Sequence, residues 1–268
     1  INIFYDFYCL IFLIFIFFIK KPNLIWSVNP KAGLLGAISS FICNINSLFV
    51  FQGEVWANKK SFSRLLLKTC DRVLIKLTKN IFAVSNGEKS FLDKEMGINK
   101  KIIKVLNKGS ISGVNTSLYK YDSKIRNLFR HKYKFSSRDI VIGFVGRICQ
   151  DKGVTLLYET FKKLLKYTPG LKLIFIGTDE EYLIKNNTLK LDGNFIHIKY
   201  SENIEKILPG LDIFCLPSYR EGFGLVLIEA AASGVPSVAS RIYGITDAVA
   251  DEKTGLLHTP KSVADLYL

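Results

Sequence analysis

The chain has 268 residues, of which 49% are apolar and 22% are charged. This composition is typical of a globular protein and excludes a disordered or fibrous chain. Lysine and arginine number 37 against 23 aspartate and glutamate residues, and the resulting formal charge of +14 favours an anionic partner such as a nucleotide, a phospholipid headgroup or a nucleic acid.

The first predicted element is an apolar segment, residues 3–19, that ends at Lys20 and Lys21. A secretory signal would need a basic region before the segment and a small-residue cleavage site after it, and the sequence has neither. A membrane-spanning helix needs about 20 apolar residues, whereas this run is shorter and contains Asp6. The third interpretation, a buried or membrane-surface helix of a globular domain, is favoured, and the other two stay open.

The rest of the first half alternates short apolar strands with helices, a pattern typical of βαβ units and a parallel sheet. The predicted strands cover residues 23–28, 47–51, 80–84 and 102–106. The predicted helices cover residues 30–42, 62–79 and 88–94. A basic segment, 118–138, follows with helical character but little apolar periodicity, and we predict that it joins two domains.

The second half repeats this alternation. Strands are predicted at 139–145, 171–176, 195–199, 212–216 and 237–239, with helices at 154–167 and 225–233 and the start of another at 261–268. The sequence therefore predicts an α/β protein with two Rossmann-like domains, 1–117 and 139–268, joined by 118–138. Because the chain starts without methionine and stops within a predicted helix, we expect both domains to be incomplete.

The most specific motif covers residues 217–236, where a predicted strand leads through a glycine-bracketed loop into a helix. Gly222 and Gly224 allow a ligand to approach the backbone closely. The free N–H groups at the start of the helix favour an anion such as a diphosphate. Glu221 and Glu229 are placed to accept hydrogen bonds from sugar hydroxyls, although a single glutamate is more often a solvated surface residue.

A second motif, residues 146–153, follows the first strand of the second half. Arg147 and Lys152 are two cations beside a predicted helix start, which is a suitable arrangement for an anion. The segment lacks the G-x-x-x-x-G-K-[ST] pattern of a Walker A loop. Taken alone, it is equally well explained as a solvated basic loop.

Together, G-R-I-C-Q-D-K-G (146–153) and S-Y-R-E-G-F-G-L-V-L-I-E (218–229) resemble the family 4 retaining glycosyltransferases. The resemblance continues upstream in N-P-K-A-G-L-L-G (29–36), F-Q-G-E-V-W (51–56) and K-G-S-I-S-G-V-N (108–115), and is greatest to enzymes of bacterial surface polysaccharide synthesis. It implies the GT-B fold, with two Rossmann-like domains facing across a cleft. It also favours a helix of the first domain over a membrane span for residues 3–19.

The resemblance implies a role for each motif residue. Arg147 and Lys152 would bind the donor diphosphate and stabilise the leaving nucleotide, while Glu221 would bind the donor sugar and act with them in catalysis. Glu229 would bind the ribose hydroxyls of a nucleotide-sugar, with UDP as the expected nucleotide. The other residues expected at the donor are Gly146, Gly222, Phe223, Gly224 and Leu225.

The first domain would bind a lipid-linked or saccharide acceptor, with Gln52 and Gly53 near the cleft. Many relatives have histidine where Gln52 stands and aspartate where Asn115 stands, and a glutamine cannot act as a base. The resemblance further implies chemistry without a metal or another cofactor, and a cytoplasmic protein in peripheral contact with the inner face of the membrane. The alternative is a non-catalytic relative that only binds a nucleotide-sugar.

Other candidate groups carry weaker signals. The five cysteines are scattered without a CxxC pair, which argues against a disulfide framework and a structural zinc site. Cys149 lies within the second motif, residues 146–153, but nothing else suggests that its thiol is a nucleophile. The histidines, at positions 131, 197 and 258, do not cluster. Because the basic residues are spread along the chain, we do not expect nucleic-acid binding.

Overall fold

The computed structural model describes residues 3–99 and 102–268. The chain divides into two compact units, a first unit that ends at Ile111 and a second unit, Ser112–Leu268. Each unit contains its own parallel sheet and its own hydrophobic core. The predicted α/β class with parallel sheets is therefore confirmed.

Four parallel strands form the sheet of the first unit, in the order β1-β2-β3-β4. The strands are β1 (Leu24–Ser27), β2 (Asn46–Phe51), β3 (Asn80–Ala83) and β4 (Ile103–Val105). The helices are α1 (Ile3–Lys20), α2 (Pro30–Ile42), α3 (Ser61–Leu77) and α4 (Asn86–Met96). Each of the helices α2, α3 and α4 connects one strand to the next, and the strands follow each other in the same direction across the sheet. Because such connections between parallel strands are right-handed, the three helices lie on one face of the sheet.

The apolar segment at the start of the chain is α1, which packs along α2. Cys43 Sγ lies 3.5 Å from the carbonyl oxygen of Ile14, and Lys31 forms an ion pair with Asp6. Phe17 is buried, but most of the other large apolar side chains of α1 are exposed. Within the described residues, no helix has both the length and the hydropathy needed to cross a membrane.

Six parallel strands form the sheet of the second unit, in the order β10-β9-β8-β5-β6-β7. They are β5 (Ile140–Val145), β6 (Leu171–Ile176), β7 (Phe195–Ile198), β8 (Ile213–Leu216), β9 (Ser237–Ser240) and β10 (Gly255–His258). The helices are α5 (Ser123–Lys132), α6 (Val154–Leu164), α7 (Leu225–Ala232), α8 (Ile245–Ala248) and α9 (Val263–Tyr267). Strands β5, β6 and β8 are buried on both faces, which explains their continuous apolar sequences.

Helix α5 belongs to the second unit, although the sequence predicted a junction at 118–138. Arg126 and Arg130 donate hydrogen bonds to the two carboxylate oxygens of Asp212, at 2.5 Å and 3.0 Å. Arg130 also donates to the carbonyl oxygens of Ser136 and Asp139, both at 2.6 Å. These bonds attach α5 to the sheet, so the division between the units falls at Ile111, ahead of the predicted junction.

Candidate functional site

Two loops of the second unit meet at the carboxyl ends of β5 and β8. These strands are neighbours where the strand order reverses, the position at which open α/β sheets bind ligands. The backbone N–H of Tyr219 donates to the carbonyl oxygen of Asp151 at 2.8 Å. A Cβ atom on Gly153 would lie 2.1 Å from the carbonyl oxygen of Pro217, so only glycine allows the loops to touch here. The two sequence motifs therefore form one site.

Helix α7 begins at this site. Its N-cap residue, Gly224, has φ 82°, a left-handed conformation that favours glycine. No side chain caps the helix, and within its first turn Leu227 N–H donates to the Gly224 carbonyl oxygen at 2.9 Å, so an anion could approach the helix start without displacing a capping side chain. Gly222 is buried and Phe223 and Leu225 are half-buried in the same turn. A helix start of this kind is suitable for an anion, which is the ligand that the motif predicts here.

Lys152 and Glu221, both predicted catalytic residues, form an ion pair across the two loops. Only 18% of the lysine side chain and 15% of the glutamate side chain are exposed. The hydroxyl of Ser218 donates to the same Glu221 carboxylate at 3.0 Å, and Ser218 is fully buried. Ser218 was not predicted, because a serine beside a glycine-rich loop carries no distinguishing signal. The pair places a cation and a hydrogen-bond acceptor side by side.

Arg147 lies at the rim of the site, where its Nη1 is 2.8 Å from Glu180 Oε2. Both side chains are about half exposed, so their ion pair contributes little to stability. Exchange of Glu180 for a phosphate would therefore cost little free energy. Gln150 N–H donates to the Glu181 carboxylate at 3.0 Å. Acidic residues of the loop after β6 therefore contact the motif at 146–153.

Glu229 lies half-buried on α7, where its carboxylate accepts a hydrogen bond from the hydroxyl of Tyr119. Burial raises the pKa of Glu229, and the Tyr119 bond acts in the opposite direction. Burial, together with the nearby Glu229 charge, raises the pKa of Tyr119 to about 12. Tyr119 was not predicted, since its partner is distant in sequence. Tyr119 and Glu229 thus interact beside the α7 turn.

The predicted acceptor residues Gln52 and Gly53 lie in the first unit, directly after β2. Gln52 is exposed, while Gly53 N–H donates to one oxygen of the Glu88 carboxylate. The backbone N–H of Val84 donates to the other oxygen at 2.9 Å, and Glu88 is fully buried. Glu88 therefore joins the ends of β2 and β3. The sequence predicted Glu88 only as the start of a helix, and these two hydrogen bonds were not predicted.

The described residues contain no group of three histidine, cysteine, aspartate or glutamate side chains able to hold a metal ion. Two of the histidines have structural contacts. His258 is buried with its Nε2 3.3 Å from Ser240 Oγ, and His197 Nε2 lies 2.8 Å from the Gly177 carbonyl oxygen. Cys149 is buried, and burial raises the pKa of its thiol, which disfavours the nucleophilic thiolate.

Three comparisons with known proteins show to which family and fold the chain is similar. Residues 125–267 match the family model described as Glycosyl transferases group 1. The chain is 30% identical to the capsular polysaccharide biosynthesis glycosyltransferase CapM of Staphylococcus aureus, over 96% of the chain and 68% of that protein. It is also 24% identical to a UDP-Gal:alpha-D-GlcNAc-diphosphoundecaprenol alpha-1,3-galactosyltransferase of Escherichia coli, over 89% of the chain and 62% of that protein.

The structure is also similar to that of Anabaena Alr3699/HepE in complex with UDP-glucose. The TM-score is 0.80 at 21% sequence identity, and the match covers 96% of the chain and 70% of HepE. At this identity the likeness concerns the fold alone. It confirms the GT-B fold that the sequence resemblance implied.

Proposed function

The chain belongs to the family of group 1 glycosyl transferases, and on that premise we propose that it transfers a sugar, with retention of configuration, from a UDP-sugar to a lipid-linked or saccharide acceptor in surface polysaccharide synthesis. The observation that carries the proposal is the Lys152–Glu221 ion pair beside the start of α7. It places one group for a phosphate and one for a sugar hydroxyl next to each other, as a sugar-phosphate bond requires.

The donor diphosphate would lie between the first turn of α7, Lys152 and Arg147. Negative charge increases on the β-phosphate as its bond to the sugar breaks and the nucleotide leaves. Hydrogen-bond donors and cations already placed around that phosphate stabilise the developing charge. Lys152 provides a charge that is mostly shielded from water, whereas Arg147 provides a bidentate fork at the rim. The complexes of HepE with UDP and UDP-glucose support this choice of donor.

The donor sugar and the ribose would each be bound by one glutamate carboxylate of the protein. Glu221 is held by Lys152 and Ser218, so its oxygens are oriented to accept hydrogen bonds from sugar hydroxyls. Glu229, held by Tyr119, would accept hydrogen bonds from the ribose. The proposal of retention rests on the resemblance of residues 146–153 and 218–229 to the family 4 retaining glycosyltransferases. Nuclear magnetic resonance of the product tests it, because an inverted anomeric configuration would contradict it.

The acceptor would bind to the first unit near Gln52 and Gly53, whose loop Glu88 supports. A lipid-linked acceptor is supported by the E. coli relative, whose name gives a diphosphoundecaprenol-linked substrate. Up to Ile111 the chain has 16 lysine and arginine residues against 6 aspartate and glutamate residues. This excess suits an anionic membrane, and we therefore propose that the protein works in the cytoplasm at the inner face of the membrane.

We further propose that transfer needs no metal ion, because Arg147, Lys152 and the α7 N–H groups supply positive charge at the diphosphate. A chelator titration tests this point directly. Unchanged turnover in excess chelator is expected, and activity that disappears and returns with added Mg²⁺ or Mn²⁺ would contradict it.

The proposed function is tested by a screen of nucleotide-sugars with undecaprenyl-diphosphate-linked and free saccharide acceptors, measured by nucleotide release. Lys152→Ala and Glu229→Ala should each lower turnover by about 100-fold or more. Lys162→Ala, which removes an exposed ion pair with Asp192 at 3.5 Å, is the matched control and should leave turnover unchanged. Equal turnover in all variants would contradict the site, and donor binding without product would favour the non-catalytic alternative.

A further inference from the structure

Helix α3 presents large apolar side chains to solvent along one side and turns three of its ionic side chains toward the interior of the first unit, beside the buried Leu74 and Ile75. Arg64 and Lys68 reach Glu95 at 2.9 Å and 2.8 Å, and both cations lie over the ring of Trp56. Asp71 is buried and accepts a hydrogen bond from Trp56 Nε1 at 2.6 Å. These contacts fix which face of α3 points outward.

The outward face of α3 is apolar. Phe62 is 75% exposed, Leu65 is 60% exposed, Leu66 is 50% exposed and Val73 is 38% exposed. Their spacing places all four along one stripe of the helix. The inner contacts of Arg64, Lys68 and Asp71 occupy the opposite side, so rotation of the helix cannot bury the stripe without breaking those bonds.

Basic side chains surround this stripe. Lys59 and Lys60 precede its first residue, and Arg72 and Lys76 flank its end; all four are exposed. Asp71 is the one acidic residue in the α3 sequence, and it is buried on the inner side. The outward surface of α3 is thus both apolar and positively charged, and it belongs to the unit that carries most of the net charge.

We infer that the outward face of α3 docks on an anionic lipid bilayer, with Phe62, Leu65 and Leu66 at the level of the acyl chains and the basic residues among the headgroups. A helix with one apolar face and flanking lysine and arginine suits this interface. Pairing with a second copy would bring two positive surfaces together, which is unfavourable. The inference rests on the proposed function only in that a lipid-linked acceptor gives the enzyme a reason to lie on a membrane.

The α3 docking face is already formed before it meets a lipid. The Trp56 and Glu95 contacts anchor α3 along its inner side, so binding does not require the helix to fold. Far-ultraviolet circular dichroism should therefore stay the same when vesicles are added, whereas a segment that folds on binding would gain helical signal.

The test is flotation of the full chain with phosphatidylcholine vesicles, with and without a minor fraction of phosphatidylglycerol. The variant Phe62→Ser/Leu65→Ser/Leu66→Ser should lower the partition coefficient on anionic vesicles by about tenfold or more. Arg72→Gln/Lys76→Gln should lower it on anionic vesicles only, and should reduce its dependence on salt. Leu128→Ser is the matched control, because Leu128 is 72% exposed on α5 in the second unit.

A second measurement does not depend on loss of binding. Phe62→Trp keeps an aromatic side chain at the most exposed position of the stripe, and its added fluorescence should be quenched by brominated acyl chains in the vesicles. An unquenched Phe62→Trp, or a triple variant that floats as well as the wild type, would overturn the inference. A wild-type dimer that the triple variant dissociates would assign the face to a second copy instead.

Failure of this inference can be distinguished from failure of the proposed function. UDP binding is measured by calorimetry on the same wild-type protein and variants, without vesicles. Wild-type UDP binding with no vesicle binding overturns only the docking of α3. Vesicle binding that depends on Phe62, Leu65 and Leu66, in a protein that binds no UDP, overturns only the donor site.

Discussion

The two units of the chain carry positive charge in different ways. Up to Ile111 there are 16 basic and 6 acidic residues, whereas Ser112–Leu268 contains 21 basic and 17 acidic residues. The first unit thus has an excess of ten positive charges and the second an excess of four. In the second unit the cations of the candidate site are already paired, as Lys152 with Glu221 and Arg147 with Glu180.

The positive charge therefore has a different structural basis in each unit. The excess in the first unit is a property of its surface, which suits a broad anionic partner such as a membrane. The candidate site of the second unit has locally balanced charges instead, and the proposed donor diphosphate would replace one anion beside its cations with another. From the sequence alone, the +14 charge was assigned both to membrane contact and to binding of the donor. Composition does not show which cations are paired with acidic residues in the folded chain.

The largest expected effect on stability comes from the buried ion pairs of the second unit. Arg130→Ala removes hydrogen bonds to Asp212, Ser136 and Asp139, and we expect a loss of about 3–5 kcal/mol in the free energy of unfolding. Arg64→Ala is the counterpart in the first unit, where the partly exposed pair with Glu95 should contribute at most about 1 kcal/mol. Urea unfolding followed by circular dichroism measures both, and equal losses would contradict the contrast.

A smaller effect should come from Asp71 in the first unit. Burial raises the pKa of Asp71 from 3.8 to about 6, against the effect of the Trp56 hydrogen bond. Its contribution to stability is complete below the unfolded pKa and is lost as the pH rises through the folded one. Relative to Asp71→Asn, the wild type should lose about 2–3 kcal/mol between pH 3.8 and about 6.

Tryptophan fluorescence is the suitable measurement for Asp71, since Trp26 and Trp56 both lie in the first unit and report on it selectively. Urea unfolding of wild type and Asp71→Asn is compared across this pH range. Parallel stability curves for the two proteins would show that the Asp71 carboxyl is not perturbed.

The smallest expected effect concerns Tyr119 in the second unit. Tyr119→Phe removes the hydrogen bond that lowers the pKa of Glu229, so this pKa should rise further. If the ionised carboxylate binds the ribose, the loss of UDP affinity on acidification should move to higher pH, with less than about a fivefold change at neutral pH. Tyr121→Phe is the matched control. An unchanged pH profile of calorimetric UDP affinity in Tyr119→Phe would contradict this role.

Much of the fold could be predicted because its elements carry strong local patterns. The buried strands β5 and β6 are continuous apolar runs, and Ser85 marks the start of α4 by accepting a hydrogen bond from Glu88 N–H. Strand β10 was not predicted, and its position depends on pairing with β9. Helix α8, which was also not predicted, has only four residues, too few to show a helical period.

The candidate site shows the same limit. Residues Lys152, Glu221 and Glu229 stand in motifs with a recognisable spacing, and the structure brings the first two into contact. Tyr119 and Glu88 carry no such signal, because each acts through a partner that only the folded chain brings near. The attachment of α5 to the second unit was not predicted for the same reason, since Asp212, the partner of Arg126 and Arg130, is distant in sequence.

The central claim is that the second unit binds a nucleoside diphosphate at Lys152 and the start of α7. A calorimetric titration with UDP of the wild type, Lys152→Ala and the control Lys162→Ala tests it most directly. We expect the wild type and Lys162→Ala to bind with equal affinity, and Lys152→Ala to bind at least about tenfold more weakly. Equal affinities for all three proteins, or no binding of UDP by the wild type, would contradict the claim.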